Sequence, residues 1–363
     1  MKINDVRICN VPDPVGFSID PPVFSWIVED TNGQADWAEL RIKAAGQTVY
    51  DSGKCTDADS LGWSIDMQLA PRTRYEYTLT VHADSKEEAA AEGSFETGKM
   101  SERWTAEWIS PQDRSNAILR KTFTVSDADA GARLYICGLG VYEVYINGVK
   151  AGDEYLAPGY HSYDFHLAAQ TYDVTGMLRE GENVIEIWLG EGWFKGRLGF
   201  DGGYTDLYGD RLHAIAELYV DGELAVSTDD SWDEYTSPVE FANIYDGETF
   251  NGCKTPELIG NAVLAAPDRS ETLHDRIALP VREQVRIPAA ELIRTPKGDT
   301  VLDFGQNMTG WVVIEAPLPE GTSITLTAGE ILQDDEFYNE NYRTARAQFK
   351  YIADGTGKPV RPH

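Results

Sequence analysis

The chain has 363 residues, 42% hydrophobic and 25% charged, the balance of an ordinary soluble globular protein and more than one hydrophobic core usually holds. Lys and Arg number 31 against 60 Asp and Glu, and the net charge of −29 argues against nucleic acid or an anionic membrane as partner. The same excess fits a neutral ligand such as a sugar, and it equally serves plain solubility.

The opening MKINDVRICN has no continuous apolar run behind its lysine, and no apolar stretch approaches the roughly 20 residues needed to span a bilayer. A cytoplasmic location is therefore expected. Apolar–polar alternation with period two then recurs along the chain, punctuated by 33 Gly and 17 Pro, which predicts an all-β fold of tandem antiparallel sandwiches. The first segment, residues 1–98, reads as a small fibronectin-III-like sandwich in which Tyr75, Tyr77, Leu79 and Val81 alternate with Glu76, Thr78 and Thr80. Within it, the acidic, Ala-rich stretch 85–92 reads as a solvated loop. Residues 99–103 read as a linker.

Trp104 and Trp108 open a second segment, residues 104–265, expected to be a jelly-roll of the sugar-binding kind. Its core is the stretch 134–146, which turns at Asn147-Gly148, the strongest short hairpin signal a sequence offers. Asp173 is placed to cap one or two helical turns reaching Leu178, and 181–183 reverse the chain into a strand. There Ile185, Ile187 and Leu189 would face the core with Glu186 opposite. The Pro- and Ala-rich stretch 254–268 marks the next boundary. The third segment, residues 273–363, reads as a partial β-sandwich; it contains Val301-Leu302-Asp303-Phe304-Gly305-Gln306-Asn307-Met308-Thr309-Gly310 and the alternating Ile324 and Leu326.

No phosphate loop, dinucleotide fingerprint, HExxH or GxSxG is present, and the six histidines show no i, i+4 pairing. Cys9, Cys55, Cys137 and Cys253 form no CxxC or Cys/His cluster, so zinc and a redox motif are not expected. With so many carboxylates any pair can be nominated, and no pattern marks one as catalytic. Ligand chemistry fits better in the aromatic and acidic stretch 190–211. Sugars pack their CH faces on rings while carboxylates and Arg satisfy hydroxyls, which makes Trp193, Asp201, Tyr204, Tyr208, Asp210 and Arg211 the sugar-binding candidates. The alternative is that Trp193 is core and Asp210–Arg211 a structural ion pair. Asp153 and Glu154 could offer hard oxygen ligands to Ca2+, or form a plain polar loop; no cofactor is required.

Taken in order, the chain resembles the N-terminal part of a glycoside hydrolase family 78 α-L-rhamnosidase over nearly its whole length. The resemblance rests on Leu156-Ala157-Pro158-Gly159-Tyr160, Tyr172-Asp173-Val174-Thr175, Tyr245-Asp246-Gly247-Glu248-Thr249 and, most specifically, Phe304-Gly305-Gln306-Asn307-Met308-Thr309-Gly310-Trp311. It implies an L-rhamnose-containing glycoside as ligand, and in some members a calcium-dependent rhamnose-binding jelly-roll, which raises the interest of Asp153 and Glu154 with Asp201 as a third ligand. It also implies inverting hydrolysis by two carboxylates in an (α/α)6 barrel, expected after His363 and so absent here. The expectation is an accessory, sugar-binding fragment, inactive alone. A free-standing carbohydrate-binding or purely structural array is the alternative.

Overall fold

The computed structural model describes residues 1–112, 116–267 and 272–363, and nearly all of its regular structure is β-sheet, mostly antiparallel. The first unit packs a five-stranded sheet (Val15–Phe17, Glu88–Thr97, Arg74–Ala83, Ala35–Ala44, Gln47–Asp51) on a three-stranded one (Lys2–Ile8, Val23–Glu29, Trp63–Ser64). Alternation drives it. Tyr75, Tyr77, Leu79 and Val81 are all buried on the inner face of Arg74–Ala83, against Leu40, Ile42 and Phe24. The Phe24 ring meets Tyr77 and Phe95 edge-on at 5.2 and 6.1 Å.

In the stretch 85–92, residues 85–87 turn as expected, but from Glu88 onward the chain is strand and corrects the expectation of a loop. Glu88–Thr97 is a strand paired with Arg74–Ala83 from His82↔Glu88 to Arg74↔Glu96. Ala89 and Ala91 pack on the core while Glu88, Ala90 and Glu92 face water. The period of two was there, but Ala is depleted in strands and gave it little weight.

The linker 99–103 is pinned. The Lys99 and Met100 N–H groups donate to the two oxygens of buried Asp275 at 2.9 and 2.8 Å. The fully buried Lys99 ammonium meets the fully buried Glu217 carboxylate.

The second unit is a larger sandwich. One sheet runs Val149–Lys150, Val141–Ile146, Gly181–Gly190, Ala117–Val125, Asp233–Thr236, Leu258–Asn261. The other runs Val263–Leu264, Ile109–Ser110, His213–Val220, Ala132–Leu139, Leu167–Asp173, Leu273–Asp275, with Glu223–Ser227 alongside His213–Val220. Ile185, Ile187 and Leu189 point into the shared core with Leu134, Ile136 and the fully buried Trp232. Asn147 and Gly148 sit at φ 53° and 78°, the left-handed pair of a tight hairpin.

The stretch 134–146 divides between the two sheets at Gly140, whose φ is +113°. A Cβ there would lie 2.4 Å from the Gly190 carbonyl, so glycine alone permits the crossing. Asp173 Oδ1 accepts the Thr175 N–H at 3.1 Å, but the cap position of the single 3-10 turn Thr175–Met177 is Val174, with no side-chain cap, in place of the expected Asp173. Of the Pro- and Ala-rich boundary stretch, Asp268 lies outside the described residues.

The span 239–251 leaves the sandwich for a four-stranded sheet with the third segment: Val239–Asn243, Gly247–Asn251, Gln348–Ile352, Ser323–Thr327. Its core is small, Phe349, Tyr351 and Ala353 with Phe250, Leu326 and Val360 packed on it. Thr300–Asp303 pairs with Glu291–Arg294 as a separate hairpin, and Asp303 Oδ1 caps the following turn through the Gly305 N–H at 2.7 Å. Residues 304–313 then run without strand structure, largely exposed, with Trp311 against Tyr155 at 4.3 Å.

Candidate functional site

The six residues expected to bind sugar do not converge. Trp193 lies in the short helix Gly192–Lys195 and Tyr208 in the loop after it, and both pack on the buried cluster of Trp108, Phe194 and Ile215. Tyr208 hydrogen-bonds Tyr160 hydroxyl to hydroxyl at 2.5 Å and lies 4.7 Å from the Tyr163 ring. Tyr160, 57% exposed, also meets Trp193 edge-on at 6.3 Å and forms the outer rim of this aromatic group. Arg211 donates to the Pro111 carbonyl at 3.1 Å, and Tyr204 is exposed on a short bridge to Leu198. Asp210 is exposed beside buried His213, and its charge opposes the lowering of that ring's pKa.

Beneath the aromatic group lies His161, 5% exposed. Among the described residues neither of its ring nitrogens has a partner in full hydrogen-bond geometry, though the backbone at Pro158 lies near enough to oppose the lowering of its pKa. Burial pushes its pKa down to about 4, with His166 adding to the effect, so the ring is neutral at physiological pH.

Asp153 and Glu154 are both held by arginines. Asp153 pairs with Arg282 at 2.8 Å on the surface. Glu154, buried, pairs with buried Arg276, and its carboxylate also accepts the Tyr172 hydroxyl at 3.3 Å. Calcium takes six to eight oxygens, and here it would have to displace two guanidinium groups. Among the described residues no group of three or more His, Cys, Asp or Glu side chains could hold a metal ion. The donor set does not fit the ion.

Asp201 is different. It sits at φ 54° on the exposed loop 197–204 and lines a cleft of about 460 Å³. The opposite wall is the loop 341–345, and Tyr245 joins the two. Arg197 ties the walls together: it grips Asp246 with two hydrogen bonds of 3.0 and 2.6 Å, and reaches the Thr344 hydroxyl and carbonyl at 3.0 and 2.6 Å. Hydrogen bonding to Arg197 holds the Asp246 carboxyl below its ordinary value. The Tyr245 hydroxyl accepts the Gly199 N–H at 3.0 Å and donates to the Gly199 carbonyl at 3.1 Å. On the lip stands Phe200, 73% exposed, with the Arg343 guanidinium 5.4 Å from its ring centre.

Sequence reasoning had the Asp201 half of this cleft. It missed Arg343 and Tyr342, because the second wall lies 147 residues further on and is brought near by long-range pairing, Arg197 to Thr344 and the backbone of Tyr245 and Asp246 to residues 346–348. It also missed buried Glu143, which faces Arg361 at 2.8 Å, Lys150 at 3.0 Å and the Tyr145 hydroxyl at 2.5 Å. Burial opposes ionisation of Glu143, but the two cations outweigh it and hold the carboxyl below its ordinary value.

Comparison with known proteins agrees in all three units. Residues 3–101 match the Rha78A-like N-terminal immunoglobulin domain, 128–267 the α-L-rhamnosidase N-terminal domain, and 293–363 the bacterial α-L-rhamnosidase concanavalin-like domain. An α-L-rhamnosidase of Alteromonas sp. (strain LOR) is 31% identical over 92% of this chain and 41% of its own length. One from Formosa agariphila is 29% identical over 95% and 42%. The crystal structure of the native α-L-rhamnosidase from Aspergillus terreus superposes with a TM-score of 0.88 at 28% identity, over 99% of this chain and 45% of that one. The chain thus spans about two fifths of the length of these curated relatives.

Proposed function

Because the chain belongs to the α-L-rhamnosidase family through its N-terminal β-domains, we propose that it is the accessory, sugar-contacting portion of an enzyme that hydrolyses terminal α-L-rhamnosides with inversion. The observation that carries this reading is the succession of the three family domains along one chain. Inverting hydrolysis needs a carboxylic acid of raised pKa and a carboxylate base, roughly 6.5–9.5 Å apart around the scissile bond. Among the described residues, two buried carboxyls whose pKa is displaced, Glu143 and Asp275, fit neither role. Glu143 is held ionised by Arg361 and Lys150. Burial raises the pKa of Asp275, but both its oxygens already take backbone N–H groups, and it lies against Gly98 rather than an open cleft.

The acid–base pair is therefore assigned to an (α/α)6 domain of the whole protein, outside these residues. The exposed apolar side chains Ile277, Leu279, Val281, Val285 and Leu292 give that domain a surface to rest on. The β-domains would then act as a rigid platform beside the active site. All four cysteines are free thiols, which supports a reducing, cytoplasmic compartment.

A substrate panel on the full-length protein tests the reading. Release of nitrophenol from the aryl α-L-rhamnoside, and not from α-D-mannoside or β-D-glucoside, is the expected outcome. Hydrolysis of another glycoside in preference to the rhamnoside would overturn it.

A further inference from the structure

We propose that the cleft between the loops 197–204 and 341–345 is a carbohydrate subsite of its own, separate from the aromatic group around Trp193 and Tyr208. It would take one neutral pyranoside unit of a glycoside. Four observations converge on it.

Its volume, about 460 Å³, lies within the range of roughly 300–1,000 Å³ typical of small-ligand sites. Its walls are fixed before any ligand arrives, because Arg197 and Tyr245 cross-tie them through Asp246, Gly199 and Thr344. Preorganised walls spare a ligand the cost of ordering loops. Phe200 presents an exposed ring at the lip, and half-buried Tyr342 presents a second from the facing loop. Sugar rings carry apolar CH faces that pack on such surfaces.

The fourth observation is unspent hydrogen-bonding capacity. Among the described residues the Asp201 carboxylate has no ion-pair or hydrogen-bond partner, and the Arg343 guanidinium has only the Phe200 ring beneath it. A carboxylate accepts from two adjacent hydroxyls at once, and a guanidinium donates to hydroxyl or ring oxygen. One acid and one base on the same rim leave the cleft near neutral, within a protein whose charge of −29 repels anions. Both residues sit in the left-handed region, Asp201 at φ 54° and Arg343 at 59°, a conformation held only where surrounding contacts impose it.

The choice of L-rhamnose as first probe rests on the α-L-rhamnosidase reading; the cleft itself does not. The 363-residue chain is titrated calorimetrically with methyl α-L-rhamnoside and, in parallel, methyl β-D-glucoside. Phe200→Ala, Asp201→Asn and Arg343→Ala are compared with Tyr160→Phe in the aromatic group, each first checked for an unchanged thermal melt. Binding of the rhamnoside that weakens about tenfold or more in each cleft variant, and stays unchanged in Tyr160→Phe, is the expected result. Binding of the glucoside alone, lost in the cleft variants, would keep the subsite and remove rhamnose as its ligand. Binding insensitive to all three cleft variants, or no heat with either sugar at millimolar concentration, overturns the proposal. Neither of those two results touches the activity of the full-length protein, which the substrate panel reads separately.

Discussion

The contact between Lys99 and Glu217 is one of the ties that fix the first unit to the second, and Glu217→Gln tests it. Glu217 is fully buried, and its carboxylate receives the Lys99 ammonium, the Thr105 N–H, the Ala106 N–H at 2.9 Å and the Tyr219 hydroxyl at 3.2 Å. Gln has one acceptor oxygen in place of two and turns an NH2 toward groups that are themselves donors. Lys99, 1% exposed, would keep its charge with only the more distant, partly exposed Glu102, 3.9 Å away, to counter it. Removing one partner of a buried pair costs about 3–5 kcal/mol.

Lys99 also lies 5.0 Å from the Trp104 ring and 5.3 Å from that of Tyr219, and this aromatic surround offsets part of the loss. The lower end of the range, about 3 kcal/mol, is therefore expected. At about 2–4 °C per kcal/mol for a unit of this size, the melting temperature should fall by roughly 6–12 °C. Urea unfolding followed by tryptophan fluorescence reads the free energy directly. Lys99→Met in the Glu217→Gln background should recover part of the loss, because it removes the stranded charge. A loss under about 1 kcal/mol, or no recovery in the double variant, would refute the reasoning.

Three further outcomes are expected. His161 is neutral when folded and its pKa is about 4, below the 6.5 of the unfolded chain. Its contribution is therefore constant above pH 6.5 and falls as the pH drops toward 4, by roughly 3 kcal/mol in all, where only the unfolded chain gains the proton. His161→Phe should remove that part of the acid sensitivity in urea titrations at pH 7 and pH 4.5, and an unchanged pH difference would contradict it. Gly140→Ala places a Cβ against the Gly190 carbonyl at a positive φ, and should cost about 3 kcal/mol or more or prevent folding, as circular dichroism melts would show. Arg197→Met should raise amide exchange in both 197–204 and 341–345 while the sandwich cores keep their protection; exchange raised in one loop alone would show that Arg197 does not couple them.

The sheets were legible where large apolar side chains carried the alternation, as in Tyr75 to Val81 and Ile185 to Leu189. They were not where Ala89 and Ala91 filled the inner face, because their small side chains leave a faint pattern. Nor was the four-stranded sheet of the third segment, whose strand Gly247–Asn251 pairs in parallel with Gln348–Ile352 far along the chain. Such pairing leaves no local mark. The same distance hid the ligands of the acids. Asp153 and Glu154 follow a tight turn and look free, yet Arg282 and Arg276, 129 and 122 residues on, neutralise them. Asp201 was visible as a candidate, but Arg343 was not. The stretch 304–311 marks the family while standing largely exposed and outside any strand.

The most direct test is the simplest assay. Purified as a 363-residue chain and incubated at high concentration with nitrophenyl α-L-rhamnoside, the protein should release no nitrophenol above the uncatalysed rate. Steady release that scales with protein concentration would mean that these β-domains hold an acid–base pair, and the assignment of catalysis to another domain would fall.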